Sequence, residues 1–322
     1  QIDDIAWDAC VTDSCQRIVY GYSWYLDVVL PAPAWKWVGL VLIDDAGTYQ
    51  AVMPIPLRRK QIAGITYEWV VHQPFFCQFL SVFSRDVSVD PTPFLGIIQQ
   101  NFRYCSIFAC RHHIATFGER CTLSTQILDL SADYETLYQR YTSDRKLNLR
   151  RALRANWIVL ESTDPTPLLN LFRENHANAI PNGVADWVYA TFRILVNELN
   201  QRGMMTLRYA LREGRIEAGA LFVREGNRII YLFNAASEAG RTGNARTLLI
   251  DQLIRENAGC RCVGKPTIFD FESPEKPSIR DFYRSFGAVE EPFWSIRWNR
   301  LNVVERLARQ LRNVIKKASA TH

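Results

Sequence analysis

The sequence lacks the features that mark membrane-spanning and metal-binding proteins. Its most apolar stretch, residues 28–43, is broken by Pro31, Pro33 and Lys36, and no other run approaches the roughly 20 uninterrupted apolar residues of a membrane helix. The eight cysteines include no Cys-x-x-Cys pair, and no histidine lies at ligand spacing from two of them. We therefore expect no metal site, and we expect free thiols in a reducing cytoplasm.

A general excess of positive charge is also absent. The 322 residues carry 38 Lys and Arg against 33 Asp and Glu, a net charge of +5. The net charge is −2 over residues 1–128, +2 over residues 129–298 and +5 over residues 299–322, and residues 140–154 alone carry +5. Because the basic excess is confined to two short segments, we expect no DNA partner.

The length and the hydrophobic pattern predict two folded domains. Hydrophobic residues make up 48% of the chain, which excludes a disordered protein, and domains of about 150 residues are typical. The pattern predicts strands over 37–43, 48–57, 66–71, 115–117, 125–128, 157–161, 204–212, 217–224, 228–235, 267–271 and 293–298, and helices over 92–104, 131–140, 143–155, 165–176, 185–201, 245–257 and 278–286. This order predicts an α/β (α+β) fold with a mixed, mostly antiparallel sheet flanked by helices.

A strand, a glycine-bearing loop and a helix follow one another directly over residues 231–257. Backbone N–H groups at the start of a helix attract phosphate. Gly240 and Gly243 would let the backbone approach an anion closely, and Arg241 and Arg246 could add charged hydrogen bonds. The alternative is an ordinary strand–turn–helix with a solvated loop. The dinucleotide-binding and P-loop glycine patterns are both absent.

A second segment, residues 269–288, carries candidate acid–base groups. Tyr283 lies beside the apolar face of a predicted helix, with its hydroxyl free to reach a cleft, or it is a core aromatic. Asp270 and Glu272 flank Phe271 and are expected to project from one face of the sheet. They could act as a base, or they could cap the next helix or pair with Arg280.

These segments together resemble the GNAT acyltransferases. Gly240-x-x-Gly243-x-Ala245 is similar to their acyl-CoA pyrophosphate loop, and residues 282–288 are similar to their late Tyr-containing helix. Residues 128–134, the pattern Arg145-x-x-Asn148-x-Arg150-Arg151 and residues 269–272 resemble the FemAB-like branch, which has two GNAT-like domains in tandem.

The resemblance implies a bacterial, cytoplasmic N-acyltransferase. A degenerate GNAT-like domain would occupy residues 1–128, the acyltransferase domain residues 129–298, and a basic amphipathic helix residues 299–322. The acyl group would pass from acyl-CoA, most simply acetyl-CoA, to a small-molecule or peptide amine. Gly240 and Ala288 depart from the usual GNAT residues, so two alternatives stay open. One is a peptidyltransferase that uses aminoacyl-tRNA on a peptidoglycan precursor, and the other is a non-catalytic ligand-binding module.

The resemblance also implies roles for individual residues. Tyr283 would protonate the departing thiolate, and Glu272 or Asp270 would accept the amine proton. The donor would lie along the strand and the loop, against Phe233, Asn234, Ala235, Gly240, Arg241, Thr242, Gly243, Asn244, Ala245 and Arg246. For the acceptor we select Trp24, Asp27 and His72, as a wall between the domains.

The two basic segments have open interpretations. The helix 143–155 could present Arg150, Arg151 and Arg154 to solvent, to a phosphate of the donor or to tRNA. The amphipathic helix 299–322 could dock on the body of the protein or make peripheral contact with an anionic membrane.

Overall fold

The computed structural model describes residues 2–62, 65–110, 119–180, 183–262, 264–273 and 276–300. The chain divides into two compact units. The first unit comprises Gln1–Leu123 and Pro292–His322, and the second comprises Ser124–Glu291. The predicted strand over 115–117 lies outside the described residues. So does the predicted C-terminal helix over 299–322, except for its first two positions, 299 and 300. None of the described helices combines the length and apolar character that a bilayer-spanning segment needs.

The elements that begin within the first unit are helical at its start and mostly strands thereafter. They are α1 (Asp4–Asp13), α2 (Ser23–Val29), β1 (Trp35–Ile43), β2 (Tyr49–Ile62), β3 (Ile65–His72), β4 (Phe83–Ser84), α3 (Thr92–Asn101), β5 (Tyr104–Cys110) and β6 (Glu119–Asp129). The predicted hairpin is present, with Val38 opposite Ile55 in the β1–β2 pair. Helices α1 and α2 were not predicted.

The elements that begin within the second unit are short groups of helices and short groups of strands. They are α4 (Tyr134–Gln139), α5 (Ser143–Arg154), β7 (Ile158–Ser162), α6 (Thr166–Asn175), α7 (Asp186–Gln201), β8 (Met205–Arg212), β9 (Arg215–Glu225), β10 (Arg228–Ala236), α8 (Glu238–Thr242), α9 (Ala245–Asn257), β11 (Arg261–Cys262), β12 (Lys265–Pro266), β13 (Ile268–Asp270), α10 (Pro277–Arg284) and β14 (Val289–Asn299). Gly214 and Gly226 take the positive φ angles of 75° and 55° that the β8–β9 and β9–β10 turns require.

Each unit contains a mixed sheet, as the fold class predicts. In the first unit the strand order is β1-β2-β3-β5-β14, and in the second it is β6-β13-β10-β9-β8-β7. Strand β14 pairs with β5 over Phe293–Asn299. Its residues from Pro292 onward therefore group with the first unit, whereas the sequence assigned them to the domain over 129–298.

The second unit is built around a core between its sheet and the helices α5, α9 and α10. Its largest buried side chains include Phe222, Tyr231, Phe269, Phe271 and Phe286, all less than 3% exposed. The opposite face of β10 is covered by α6 and α7, where Phe233 contacts Phe172 and Phe192 with ring centroids 5.1 and 4.6 Å apart.

The predicted loop over 237–244 is not a loop: it contains the short helix α8. Ser237 caps this helix, since its hydroxyl accepts the Gly240 N–H at 3.0 Å. A Cβ atom on Gly240 would lie 2.1 Å from the Glu217 carbonyl oxygen, and one on Gly243 would lie 2.4 Å from the Trp157 ring. Both glycines therefore allow the segment of α8 to pack closely, Gly240 against β9 and Gly243 against Trp157, which precedes β7, a reason that local sequence does not reveal.

We predict that Gly240→Ala lowers the free energy of unfolding by about 2–4 kcal/mol, because the new methyl group meets backbone that has little room to move. Urea denaturation measures the change. Glu238→Ala, an exposed change in the same helix, is the matched control and should stay within about 0.5 kcal/mol of the parent. Equal stabilities for the two variants would contradict the packing role of Gly240.

Candidate functional site

The site begins where β10 separates from its parallel neighbour β13. Only three residue pairs join the strands, from Arg228 opposite Ile268 to Ile230 opposite Asp270. The next N–H, that of Phe271, donates instead to the Gln126 carbonyl on β6 at 2.9 Å. On its other side, β10 changes register with β9 between Ile230 and Phe233. Among the residues that the structure describes, the end of β10 therefore has one edge without a strand partner.

The register shows which backbone groups face this open edge. The Ser237 N–H donates to the Glu217 carbonyl at 2.9 Å, and Ala236 is opposite Ala218. Hydrogen-bonded and non-hydrogen-bonded pairs alternate along an antiparallel ladder. The backbone groups of Phe233 and Ala235 therefore face β9, and those of Asn234 and Ala236 face away from it, toward the gap.

Three elements bring polar side chains to this gap. Arg246 on α9 donates from Nη1 to Asn234 Oδ1 on β10 at 3.1 Å, and the Asn234 side chain also hydrogen-bonds Tyr283 on α10. Tyr283 is only 3% exposed, and its ring stacks on Phe271 with centroids 4.7 Å apart. Tyr283 thus combines the two roles that the sequence left open, a core aromatic and a phenol directed at polar groups.

The environment keeps the Tyr283 phenol protonated. Burial raises the pKa of Tyr283 to about 12, and the nearby charges of Arg246 and Glu272 act in opposite directions on it. A neutral phenol can donate a proton at neutral pH. The geometry is therefore compatible with a general acid.

Arg145 on α5 is a second cation of the site and was not selected from the sequence as a site residue. It is 6% exposed, donates to Ser285 Oγ at 2.8 Å and Thr247 Oγ1 at 2.6 Å, and lies 4.2 Å from the Phe282 ring centroid. Arg246 lies 4.9 Å from the same centroid. Burial, and then the charge of Arg246, lower the pKa of Arg145 to about 10.

Neither of these arginines forms an ion pair with a carboxylate in the described part of the chain. They border a cleft of about 250 Å³. Its lining residues, none of them acidic, are Arg145, Asn148, Gly240, Arg241, Asn244, Arg246, Thr247 and Phe282. Uncompensated guanidinium groups at a cleft favour an anion, and phosphate most of all, because their forked donors match its oxygens.

The backbone of residues 240–244 contributes less to this cleft than the sequence suggested. The N–H groups of Gly240, Arg241, Gly243 and Asn244 already donate to Ser237 Oγ and to the carbonyls of Ser237, Ala239 and Arg241. Thr242 Oγ1 donates to the Glu238 carbonyl at 3.0 Å. The backbone donors that α9 itself leaves unused are those of its first turn, at Ala245, Arg246 and Thr247.

The two candidate carboxylates lie in different environments. Asp270 is fully buried, accepts from Thr125 Oγ1 at 2.7 Å and the Glu272 N–H at 2.9 Å, and pairs with Arg228 at 3.4 Å. Strand β13 ends at Asp270, and Glu272 has a positive φ of 45°. The strand alternation that would place both carboxylates on one face therefore does not reach Glu272. Of the two, only Glu272 acts electrostatically on Tyr283.

The residues selected for the acceptor lie in the first unit. Trp24 and Asp27 belong to α2, where Trp24 stacks on Tyr22 and Asp27 accepts from Trp37 Nε1 at 2.7 Å. His72 ends β3, with Nδ1 2.9 Å from the Gln73 carbonyl oxygen. Their acceptor role stays a prediction.

His176, which was not selected from the sequence, also faces the gap. It follows α6, and its Nε2 accepts the Ala236 N–H at 3.3 Å. Burial, followed by the charges of Arg241 and Arg246, lowers the pKa of His176.

Comparisons with known proteins bear on the fold of the chain. Residues 128–264 match the family model described as an acetyltransferase (GNAT) domain. The solved structure of FemX is similar over 98% of this chain and 99% of its own, with a TM-score of 0.63 and 12% identity. A conserved protein of unknown function from Bacteroides thetaiotaomicron is similar over 91% of this chain and 96% of its own, with a TM-score of 0.53 and 9% identity.

A tandem GNAT protein from the clavulanic acid biosynthesis pathway is a more distant match, with a TM-score of 0.46 and 11% identity over 83% of this chain and 85% of its own. No curated protein matches the sequence. The resemblance to tandem GNAT-like, FemAB-like proteins is confirmed for the fold. Residues 128–264 of the second unit are thus similar to an acetyltransferase (GNAT) domain.

We predict that Asp270→Asn lowers the free energy of unfolding by about 2 kcal/mol, because Arg228 loses the buried one of its two carboxylate partners, Asp270 and Glu291. Glu272→Gln is the matched control, with an expected loss below about 1 kcal/mol. Chemical denaturation of both variants distinguishes the two environments. A larger loss for Glu272→Gln would reverse this assignment.

Proposed function

We propose that the protein is an N-acyltransferase that moves an acyl group from acyl-CoA, most simply acetyl-CoA, to an amine on a small molecule or peptide. The observation that carries the proposal is the open edge of β10 beside Tyr283. The backbone N–H and C=O of Asn234 face a gap, and the Asn234 side chain joins Arg246 to Tyr283. An extended arm with amide groups can pair with such an edge as an added strand does.

The cleft supports a phosphate-bearing donor. Arg145 and Arg246 offer guanidinium groups without carboxylate partners among the described residues, and Arg241 lines the same cleft of about 250 Å³. The first-turn N–H groups of α9 add the positive end of a helix dipole. Together these groups suit the diphosphate of CoA better than a neutral donor.

The side chains near the gap supply the proton transfers that acyl transfer needs. The amine nitrogen forms a bond with the acyl carbon, and the carbon–sulfur bond breaks. Tyr283, neutral at physiological pH because its pKa is raised to about 12, gives its proton to the leaving thiolate. Glu272 accepts the proton that the amine loses, directly or through water. Asp270 is not part of this proposal, because its oxygens are held by Thr125, Glu272 and Arg228.

A second candidate donor is aminoacyl-tRNA, and the hydrogen bonding of α8 favours it. Most of the N–H groups of residues 240–244 are used within the helix, so they are not available to a diphosphate. Arg150, Arg151 and Arg154 are exposed on α5 and could contact an RNA backbone. The acceptor would then be a peptidoglycan precursor.

Thermal shift distinguishes the two donors. Acetyl-CoA at 100 times its Kd should stabilise the protein by about 2.7 kcal/mol and raise the Tm by several degrees. Arg246→Met should abolish the shift, because it removes a cleft cation, whereas the exposed Arg150→Met should retain it. A shift with aminoacyl-tRNA alone, reduced by Arg150→Met, would support the second donor. No shift with either would leave a non-catalytic module.

We predict that Tyr283→Phe lowers kcat by about 100-fold and changes the donor KM little, because the phenol acts on the leaving group and not on donor binding. Steady-state kinetics with acetyl-CoA and an amine measure both parameters. Tyr138→Phe, which removes a phenol elsewhere against the same core, should retain the parent kcat. An unchanged kcat for Tyr283→Phe would remove Tyr283 from the acid role.

A further inference from the structure

The last residue of β10 differs from Asn234 in how its backbone is satisfied. Ala236 faces the same gap, but both of its backbone groups are bound by side chains. Its N–H donates to His176 Nε2 at 3.3 Å, and its C=O accepts from Arg241 Nη1 at 2.8 Å. His176 thus supplies an acceptor and Arg241 a donor to the same edge residue. An amide of a paired strand or ligand would present the same two groups to Ala236.

Both side chains are positioned to hold this arrangement. The His176 ring stacks on Phe172 with centroids 5.9 Å apart and an angle of 27°. Its lowered pKa leaves the ring neutral at neutral pH, so that Nε2 can accept. Arg241 belongs to α8, whose start is fixed by the Ser237 cap. His176 and Arg241 therefore occupy the backbone groups of Ala236 on the open edge of β10, two residues after Asn234.

We propose that His176 and Arg241 substitute for a ligand amide at Ala236 and so determine which donors the site accepts. A donor whose arm carries amides that reach both Asn234 and Ala236, about 6.6 Å apart along a strand, must displace His176. A donor whose arm carries one amide can pair with Asn234 and leave His176 in place. This selectivity rests on the proposed acyl-CoA function.

The proposal predicts an increase in affinity when a side chain is removed. His176→Ala should bind acetyl-CoA about 5-fold more tightly than the parent, because the donor no longer competes with one neutral hydrogen bond. The thioester S-acetyl-N-acetylcysteamine, with a single amide, should bind both proteins equally. Isothermal titration calorimetry measures the two ligands.

Two further variants keep the test falsifiable. His176→Gln retains an acceptor and should restore the parent Kd, even if His176→Ala folds poorly. Asn178→Ala, an exposed change in the same segment, should leave the Kd unchanged. In the free protein, amide hydrogen exchange at Ala236 should be faster in His176→Ala than in the parent.

The outcomes separate this proposal from the proposed function. If the parent binds acetyl-CoA and His176→Ala binds it equally or more weakly, the substitution role is wrong and the acyl-CoA function stands. Unchanged exchange at the Ala236 amide would also overturn it. If no protein binds acetyl-CoA, the proposed function fails, and this proposal fails with it.

Discussion

The short pairing between β10 and β13 is the constraint on which the site depends. Three residue pairs hold the strands together, and the Phe271 N–H then turns to Gln126 on β6. A strand edge without a partner leaves backbone donors and acceptors unsatisfied, which is costly inside a protein. In the described part of the chain, the backbone N–H and C=O of Asn234 have no strand partner, and they lie beside Tyr283 and Arg246. The opening is therefore lined by backbone as well as by side chains.

The partners of each arginine distinguish the cations that are neutralised within the fold from those that can attract a ligand. Arg208 is paired with Glu161 and Glu256, and Arg228 with Asp270 and Glu291. These pairs neutralise a buried cation and leave it little capacity for a ligand. Arg145 is instead held by the hydroxyls of Ser285 and Thr247 and by the ring of Phe282. Hydroxyl groups and an aromatic face orient a guanidinium without cancelling its charge, and so the cleft retains its attraction for anions.

Local chemistry made much of the second unit predictable. The β8–β9–β10 meander follows from three apolar segments separated by glycine-bearing turns, and α9 was expected directly after the glycine-bearing segment that follows β10. The structure departs from the predictions where distant residues decide. Arg145 is positioned by Thr247 and Ser285, more than 100 residues away in sequence. His176 faces Ala236, 60 residues away. Glu272 leaves the strand alternation because the Asp270 carboxylate binds its N–H, a turn that an apolar-polar pattern does not encode.

Helix α8 shows that a glycine spacing typical of phosphate binding can have a different physical cause. The spacing of Gly240 and Gly243 resembles a phosphate-binding loop, yet the missing Cβ atoms make room for the Glu217 backbone and the Trp157 ring. Once the backbone donors of this segment are used within the helix, anion binding depends on the guanidinium groups of Arg145, Arg241 and Arg246. A guanidinium group can meet a phosphate with different pairs of its five N–H donors, whereas a fixed backbone loop offers one arrangement. Discrimination between donors must then arise at the rigid part of the site, the edge of β10 at Asn234 and Ala236.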